Sequence, residues 1–258
     1  MTKDTSVMAK FMDWLRGDSK SIKSRFFYRP LERLDLFWST KIRGETYTEW
    51  YRRRMNRMAE KSSKANRPLS QKYLDNAVIQ VNYLKHHDLK PDHDVLEYGC
   101  GILRVGLHLL PYLEEGRYTA ADISENRIEK GVGILAEKGF DRSGYRTVVL
   151  TTAEARELGD VRYDYILAHD VFAHMPLSEC HVCLKSLARH LKPKGQIFVT
   201  FDISDEAFST NAKDYWFTRD QIRKMAEEAR LVSQEMEDWA DFKLPTQTTQ
   251  KMFRFTHV

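Results

Sequence analysis

The sequence predicts an α/β protein: a doubly wound, seven-stranded, mostly parallel sheet preceded by an N-terminal helical extension. Three observations carry this expectation. From Asp94 onward, apolar strand-like runs alternate with amphipathic helical stretches, the pattern of βαβ units. The first of these runs closes on Glu97-Tyr98-Gly99-Cys100-Gly101, a glycine turn between a strand and a helix. Upstream, to about Lys90, the chain is polar and helical in periodicity and has no strong strand. The expected organisation is therefore a helical, basic extension or cap over residues 1–93 and a sheet domain over 94–258.

Each element has a local reason. In the extension, Met8, Phe11, Met12 and Leu15 are spaced as a short amphipathic helix. Tyr47, Trp50, Tyr51, Met55 and Met58 form a second apolar stripe, bordered by Arg52, Arg53, Arg54 and Arg57. Leu69, Tyr73, Leu74, Ala77, Val78, Val81 and Leu84 form the third and clearest. Arg67-Pro68 separates the last two, because proline disfavours helical geometry in the residue before it.

In the sheet domain, Val95–Tyr98 is the first strand, and a helix through Val105, Leu107, Leu109 and Leu110 stops near Pro111. Tyr118–Asp122 is the second strand, after which Ser124 caps a helix that ends at Gly139. Tyr145–Leu150 and Tyr163–Ala168 are the third and fourth strands. A helix from Leu177 to Leu191 ends before Lys192-Pro193-Lys194-Gly195, read as a turn, and Gln196–Phe201 is the fifth strand. Thr218 with Gln221 is a capping box for the last helix, and strands near Leu231–Met236 and Gln250–Thr256 complete the sheet.

Composition excludes several classes. With 42% apolar residues the chain can bury a sizeable core, and no apolar run approaches the ~20 residues of a membrane span. Lys10, Asp13 and Arg16 interrupt the first apolar positions, so no secretory h-region is expected and the default location is cytoplasmic. The three cysteines give no disulfide framework. Cys180 and Cys183 form a C-x-x-C with His181 between and His174 nearby, but a second ligand pair is missing. Both thiols share a helical face with Leu184, Leu187 and Leu191, so packing is expected there and no metal site. Charge is uneven: residues 1–94 hold 20 of the 41 Lys and Arg and 12 of the 37 Asp and Glu, a net +8, and the rest is net −4. The basic third suits an acidic partner or is a solvated face.

The turn after the first strand is the strongest local signal. Asp122 ends the next strand, 21 residues beyond Gly101, where a carboxylate can accept from two ribose hydroxyls. A dinucleotide site would share both features, but its third glycine is replaced by Arg104. A cation there suits a carboxylate ligand, and the acidic Glu97 suits an ammonium.

These stretches, with Ala121-Asp-Ile-Ser124, Thr152-Ala-Glu154, the run from Tyr163 to Pro176 and Leu191-Lys-Pro-Lys-Gly195, resemble the class I S-adenosylmethionine-dependent methyltransferases. The resemblance covers about Asp94–Val258 and is strongest to bacterial enzymes of small molecules and glycans. It implies a Rossmann-like fold and S-adenosyl-L-methionine as cofactor. It further implies that Glu97, Gly99, Cys100, Gly101 and Arg104 hold the methionine half and that Asp122 takes the ribose. Ile123 and Ala153 would flank the adenine, with Thr152 near its amino edge and the backbone of His169 toward the methionine. Thr152 stands where many relatives have Asp, and Leu103 where many have Gly.

Transfer from a sulfonium needs alignment, and a base if the acceptor is a hydroxyl or protonated amine. His174, His169 and Asp170 follow the fourth strand, and His174, about a turn beyond it, is the first choice; a structural role beside Pro176 is the alternative. The expected acceptor is a small molecule or glycan, acidic in character, methylated on a hydroxyl or acidic group. A non-catalytic cofactor-binding module is the alternative. A nucleic-acid methyltransferase is disfavoured, since the fourth strand leads into His169-Asp170-Val171-Phe172 and not an N/D-P-P-Y motif. Phe208, Tyr215, Trp216 and Phe217, in the insert after the fifth strand, are candidate walls of the acceptor pocket or a local apolar plug.

Overall fold

The structure, a computed structural model, describes residues 29–64 and 69–258. The Met8–Leu15 stripe and the Arg67-Pro68 break lie outside the described residues.

Among the described residues nine strands form the sheets: β1 (Val95–Tyr98), β2 (Tyr118–Asp122), β3 (Tyr145–Val149), β4 (Tyr163–Ala168), β5 (Leu191–Asp202), β6 (Phe208–Ser209), β7 (Tyr215–Trp216), β8 (Leu231–Met236) and β9 (Gln250–His257). The main sheet has seven strands in the order β3-β2-β1-β4-β5-β9-β8, and β6 with β7 makes a separate hairpin. β1 to β5 pair in parallel, and β9 runs antiparallel to both β5 and β8. The central strands β1 and β2 are buried along their whole length, as expected of a sheet covered on both faces.

The helices are α1 (Arg29–Phe37), continued by a π-helical turn over Trp38–Ile42, then α2 (Tyr47–Lys64), α3 (Gln71–Asp75), α4 (Val78–His86), α5 (Gly106–Leu109), α6 (Glu125–Glu137), α7 (Leu177–Arg189), α8 (Arg219–Glu228) and α9 (Trp239–Phe242). Side-chain caps behave as the sequence implies. Ser124 accepts from the Arg127 N–H, and Thr218 with Gln221 makes both bonds of a capping box.

Two apolar clusters cover the two faces. One joins Cys180, Cys183, Leu184 and Leu187 of α7 to Ile222 and Met225 of α8, with Trp50 of α2. The other joins Val81, Tyr83 and Leu84 of α4 to Ile128 and Leu135 of α6 and to Trp239. Both C-x-x-C thiols are thus core side chains, and burial pushes the Cys183 thiol up to about 12.

Two local expectations are corrected. The Leu69–Leu84 stripe is two short helices, not one: Ser70 caps α3, and the chain turns at Asn76 and Ala77 before α4. Tyr73 thereby meets Arg104, which lies over its ring at 4.1 Å, while Val81 and Leu84 pack on the sheet. The Lys192–Gly195 turn is instead the first part of β5. Tyr163 pairs with Leu191, and the register shifts between Tyr163 and Tyr165, an irregularity that accommodates the N–H missing at Pro193. Lys192 Nζ fastens this edge, 2.6 Å from Asp94 Oδ2 and 2.7 Å from Asp164 Oδ2.

Because Tyr83 and Leu84 are fully buried against the sheet, α4 carries core and not only cover. Leu84→Ala is expected to cost about 2–5 kcal/mol by chemical denaturation. A fragment 91–258 is expected to aggregate for the same reason. A soluble, cooperatively melting fragment would show that the sheet domain is complete without α4.

Candidate active site

The strand order reverses between β1 and β4, and the crevice at such a switch point lies beyond the strands' carboxyl ends. The loops after β1 and β4 meet there. Gly99 has φ +80°, and a Cβ on it would lie 2.3 Å from Val171 Cγ2, so only glycine allows the loops this close. Leu103 also adopts a left-handed φ of +55°, although it carries a full side chain. Complete burial compensates the strain, and the space comes from α6: a Cβ on Gly131 would lie 2.4 Å from Leu103 Cδ1.

Asp122 ends β2 with only 4% exposure. Its Oδ2 accepts the Gly101 N–H and its Oδ1 the Ser124 N–H, each at 2.8 Å. A carboxylate has about four acceptor positions, so two remain for a ligand. Glu97 lies deeper and accepts a hydrogen bond from the Tyr118 hydroxyl. Burial pushes its carboxyl up to about 8, outweighing the Tyr118 hydrogen bond, which pulls it down.

Glu97, Gly99, Cys100, Gly101 and Arg104 line one cavity of about 350 Å³, with Asp122, Ile123 and Ala153 on its second side. His169, Asp170 and His174 close its third. Thr152 is exposed and does not reach the cavity wall. Arg104 donates to the Tyr73 carbonyl at 3.0 Å and thus braces α3 over the opening. His169 is nearly enclosed, and burial holds its imidazole below the ordinary histidine value. Asp170 has φ +56° and is held by Gln250, whose Nε2 donates to Oδ1 at 2.5 Å.

His174 sits on a short 3₁₀ turn, Phe172–His174. Its Nδ1 lies 3.1 Å from Asp214 Oδ1 and 3.0 Å from the Lys213 carbonyl. Both partners accept, so the proton belongs on Nδ1, which leaves Nε2 as the basic nitrogen. Burial alone would raise Asp214, but hydrogen bonds from His174, Asn211 and Lys213 hold its carboxyl far below the usual carboxylate range. The pair is therefore an imidazole oriented by a permanent anion.

α2 forms the cavity's remaining wall through Tyr47, Thr48, Tyr51, Met55 and Met58. Among the bonds that fix it are the Tyr47 hydroxyl to the His174 carbonyl at 2.7 Å, Thr48 Oγ1 to Glu179 at 2.9 Å, the Ser124 hydroxyl to Asn56 Oδ1 at 2.6 Å and the Arg52 guanidinium to the Leu150 carbonyl at 3.1 Å. The Tyr51 ring stacks near the His174 ring, 6.4 Å between centroids.

Sequence reasoning missed Asp214, Lys213 and Arg127. Arg127 and Lys213 line the cavity, and Asp214 backs His174. The Tyr47–Met58 spacing was visible, but nothing in it distinguished a cavity wall from a packing face. Of the insert's aromatics, Phe208 stacks on Trp216 at 4.8 Å and Phe217 is buried in the core, so none of these three lines the cavity.

This strand order, with its antiparallel last strand and glycine loop, is the class I methyltransferase fold. Residues 96–197 match the family model of a methyltransferase domain. The chain is similar to magnesium protoporphyrin IX methyltransferase from Synechocystis PCC 6803 with bound SAM: 14% identity, TM-score 0.62, covering 83% of this chain and 98% of that one. It is also similar to an S-adenosylmethionine-dependent methyltransferase from Clostridium acetobutylicum, at 11% identity and TM-score 0.55 over 88% of this chain and 99% of the other. A glycopeptide N-methyltransferase complexed with sinefungin aligns at 11% identity and TM-score 0.53, over 71% and 94%. At these identities the likeness carries the fold.

The raised Glu97 carboxyl makes a testable difference. The folded chain keeps this proton up to about pH 8, while the unfolded chain releases it near the ordinary value of 4.5. Glu97's contribution to stability is therefore fully present below about 4.5 and is lost as pH rises to about 8. Glu97→Gln lacks this loss. Urea denaturation is expected to show the variant gaining stability relative to the parent between pH 5 and pH 8; a constant difference would mean Glu97 is ionised in the fold.

Proposed function

We propose that the chain is an S-adenosylmethionine-dependent methyltransferase that O-methylates a hydroxyl or acidic group of a small molecule or glycan. The observation that carries the reading is the His174–Asp214 pair facing the same cavity as the Glu97–Arg104 loop and Asp122. The residues fit the cofactor. Gly99 leaves a cradle that a Cβ would fill, Glu97 offers a buried carboxyl to an ammonium, and His169 Nε2 is buried without a hydrogen-bond partner. Gly99, Cys100, Gly101 and Arg104 then hold the methionine half, Asp122 takes the ribose hydroxyls, and Ile123 and Ala153 flank the adenine. Thr152, being exposed, reaches the adenine only if its loop moves.

The bound sulfonium supplies an activated methyl group. The chain's own residues do the rest. His174 Nε2 takes the proton of the acceptor hydroxyl, and Asp214 fixes the imidazole's tautomer and aim. Tyr47, Tyr51 and Met55 exclude water from the acceptor side. Lys213 brings an ammonium to this side, paired with Asp214 Oδ1 at 3.0 Å, and an acidic acceptor group would compete for it; the Arg127 guanidinium lies beside Gly101 on the cofactor side. His169 and Asp170 serve as positioning groups, since His169 is enclosed and Asp170 is engaged by Gln250. Residues 29–64 act as a cap. The cytoplasm is the location that three free, buried thiols favour. Among the described residues no helix is long and apolar enough to cross a membrane.

Two experiments test the reading. Asp122→Asn is expected to weaken S-adenosylmethionine binding by about 2 kcal/mol, roughly 30-fold, by calorimetry on a variant verified as folded. Unchanged affinity removes Asp122 from the site. For the base, acceptors are screened by release of S-adenosylhomocysteine. With an active hydroxyl acceptor, His174→Ala should lower turnover by about 10²–10⁴-fold with cofactor affinity unchanged, and Asp214→Asn should lower it less. Small, equal losses in both would mean positioning without proton removal. Cofactor binding without turnover on any acceptor would favour a non-catalytic module.

A further inference from the structure

At the end of α4, His86 and His87 stand side by side. Asp238, the residue before α9, faces both. His86 Nε2 is 3.5 Å and His87 Nε2 3.0 Å from the same oxygen, Asp238 Oδ2. All three ligand atoms lie within 4.8 Å of one another, and among the described residues no other group of three or more His, Cys, Asp and Glu side chains is arranged this way.

An ion pair alone accounts poorly for this geometry. The Nε2 of His87 is buried and makes no hydrogen bond, although Asp238 Oδ2 is within reach; the contact fails on direction, not length. An imidazole nitrogen converging on a carboxylate oxygen without sharing a proton is arranged like a ligand. The carboxylate is also supported from behind. Its other oxygen, Oδ1, accepts the Tyr83 hydroxyl at 2.8 Å, the kind of outer contact that orients a metal-binding carboxylate. His86 is 56% exposed at its side chain, which leaves an entry path from solvent. Arg254 is close enough to act on His87, but its guanidinium donates to Gln196 and Gln234.

We propose that His86, His87 and Asp238 bind one divalent transition-metal ion of the zinc class. Two imidazoles and one carboxylate are a donor set for such an ion and leave a position open to water. The three donors need move only slightly inward to reach coordination distances of about 2.0–2.2 Å. The ion clips the end of α4 to the start of α9, and so joins the helix that buries Tyr83 and Leu84 to the β8–β9 connection. Trp239, the first residue of α9, packs edge-on against His169 at 5.8 Å, so the clip also supports a wall of the cavity. The sequence could not announce it, because two adjacent histidines are an incomplete ligand set and Asp238 lies beyond six intervening strands of the main sheet.

The test uses the full chain stripped of metal with a chelator. Zn(II) is titrated by calorimetry and Co(II) by visible absorption. One ion per chain is expected, with cobalt d–d bands and a higher melting temperature in Zn(II). His86→Gln alters an exposed side chain and should leave the metal-free melting temperature unchanged, yet weaken Zn(II) binding at least tenfold. Asp238→Asn keeps an acceptor for Tyr83 and should do the same. Binding that is absent, or that both variants retain at parental affinity, overturns the site. Neither readout needs methyl transfer, so the result is independent of the proposed reaction.

Discussion

The carboxylate of Asp122 is the interaction on which the site is built. One oxygen holds the Gly101 N–H in the loop after β1, and the other holds the Ser124 N–H at the start of α6. Ser124 in turn caps α6 and donates a hydrogen bond from its hydroxyl to Asn56 Oδ1 of α2. A single buried anion thus fixes two strand ends, one helix start and, through one more bond, the helix that roofs the cavity. Such a group is tolerable at 4% exposure because charged-to-backbone hydrogen bonds replace its water.

The cavity divides into chemically different halves. Around β1 and β2 it is made of backbone, glycine and buried carboxyls, an environment fixed by the sheet. Around α2 and the β6–β7 hairpin it is made of tyrosine, methionine and Lys213. His174 stands where the halves meet, tied to the second by Asp214 and by the bond its carbonyl accepts from Tyr47. A base held this way keeps its aim only while α2 is seated, which couples the catalytic geometry to closure of the roof.

What could be read from the sequence followed from locality. The βαβ alternation, the Glu97–Gly101 turn, Asp122 and the Thr218–Gln221 box are each defined within a few residues, and all stand where expected. Asp214 was not legible, because its partner lies 40 residues away and Lys213-Asp214 reads as an ordinary polar turn. The Lys192–Gly195 segment failed for a related reason. Proline and glycine signal a turn locally, but the register shift of β5 against β4 and the two carboxylates on Lys192 outweigh that signal. Thr152 shows the limit of resemblance: the motif position matched, but the side chain faces solvent.

The left-handed Leu103 has a consequence for how this sequence can drift. Its side chain fills the hollow that exists because position 131 is glycine, and its backbone tolerates that posture because the side chain is so well received. Any larger residue at 131 would evict Leu103, and glycine at 103 would relax the turn but leave a void under α6. Neither change is acceptable alone, and the two together still fail, because a Cβ at 131 would also lie 2.6 Å from the Ile102 carbonyl carbon and 2.8 Å from its oxygen. Position 131 is therefore held to glycine by the loop's backbone as well as by Leu103, whereas position 103 is free to change only at the cost of the void its side chain fills.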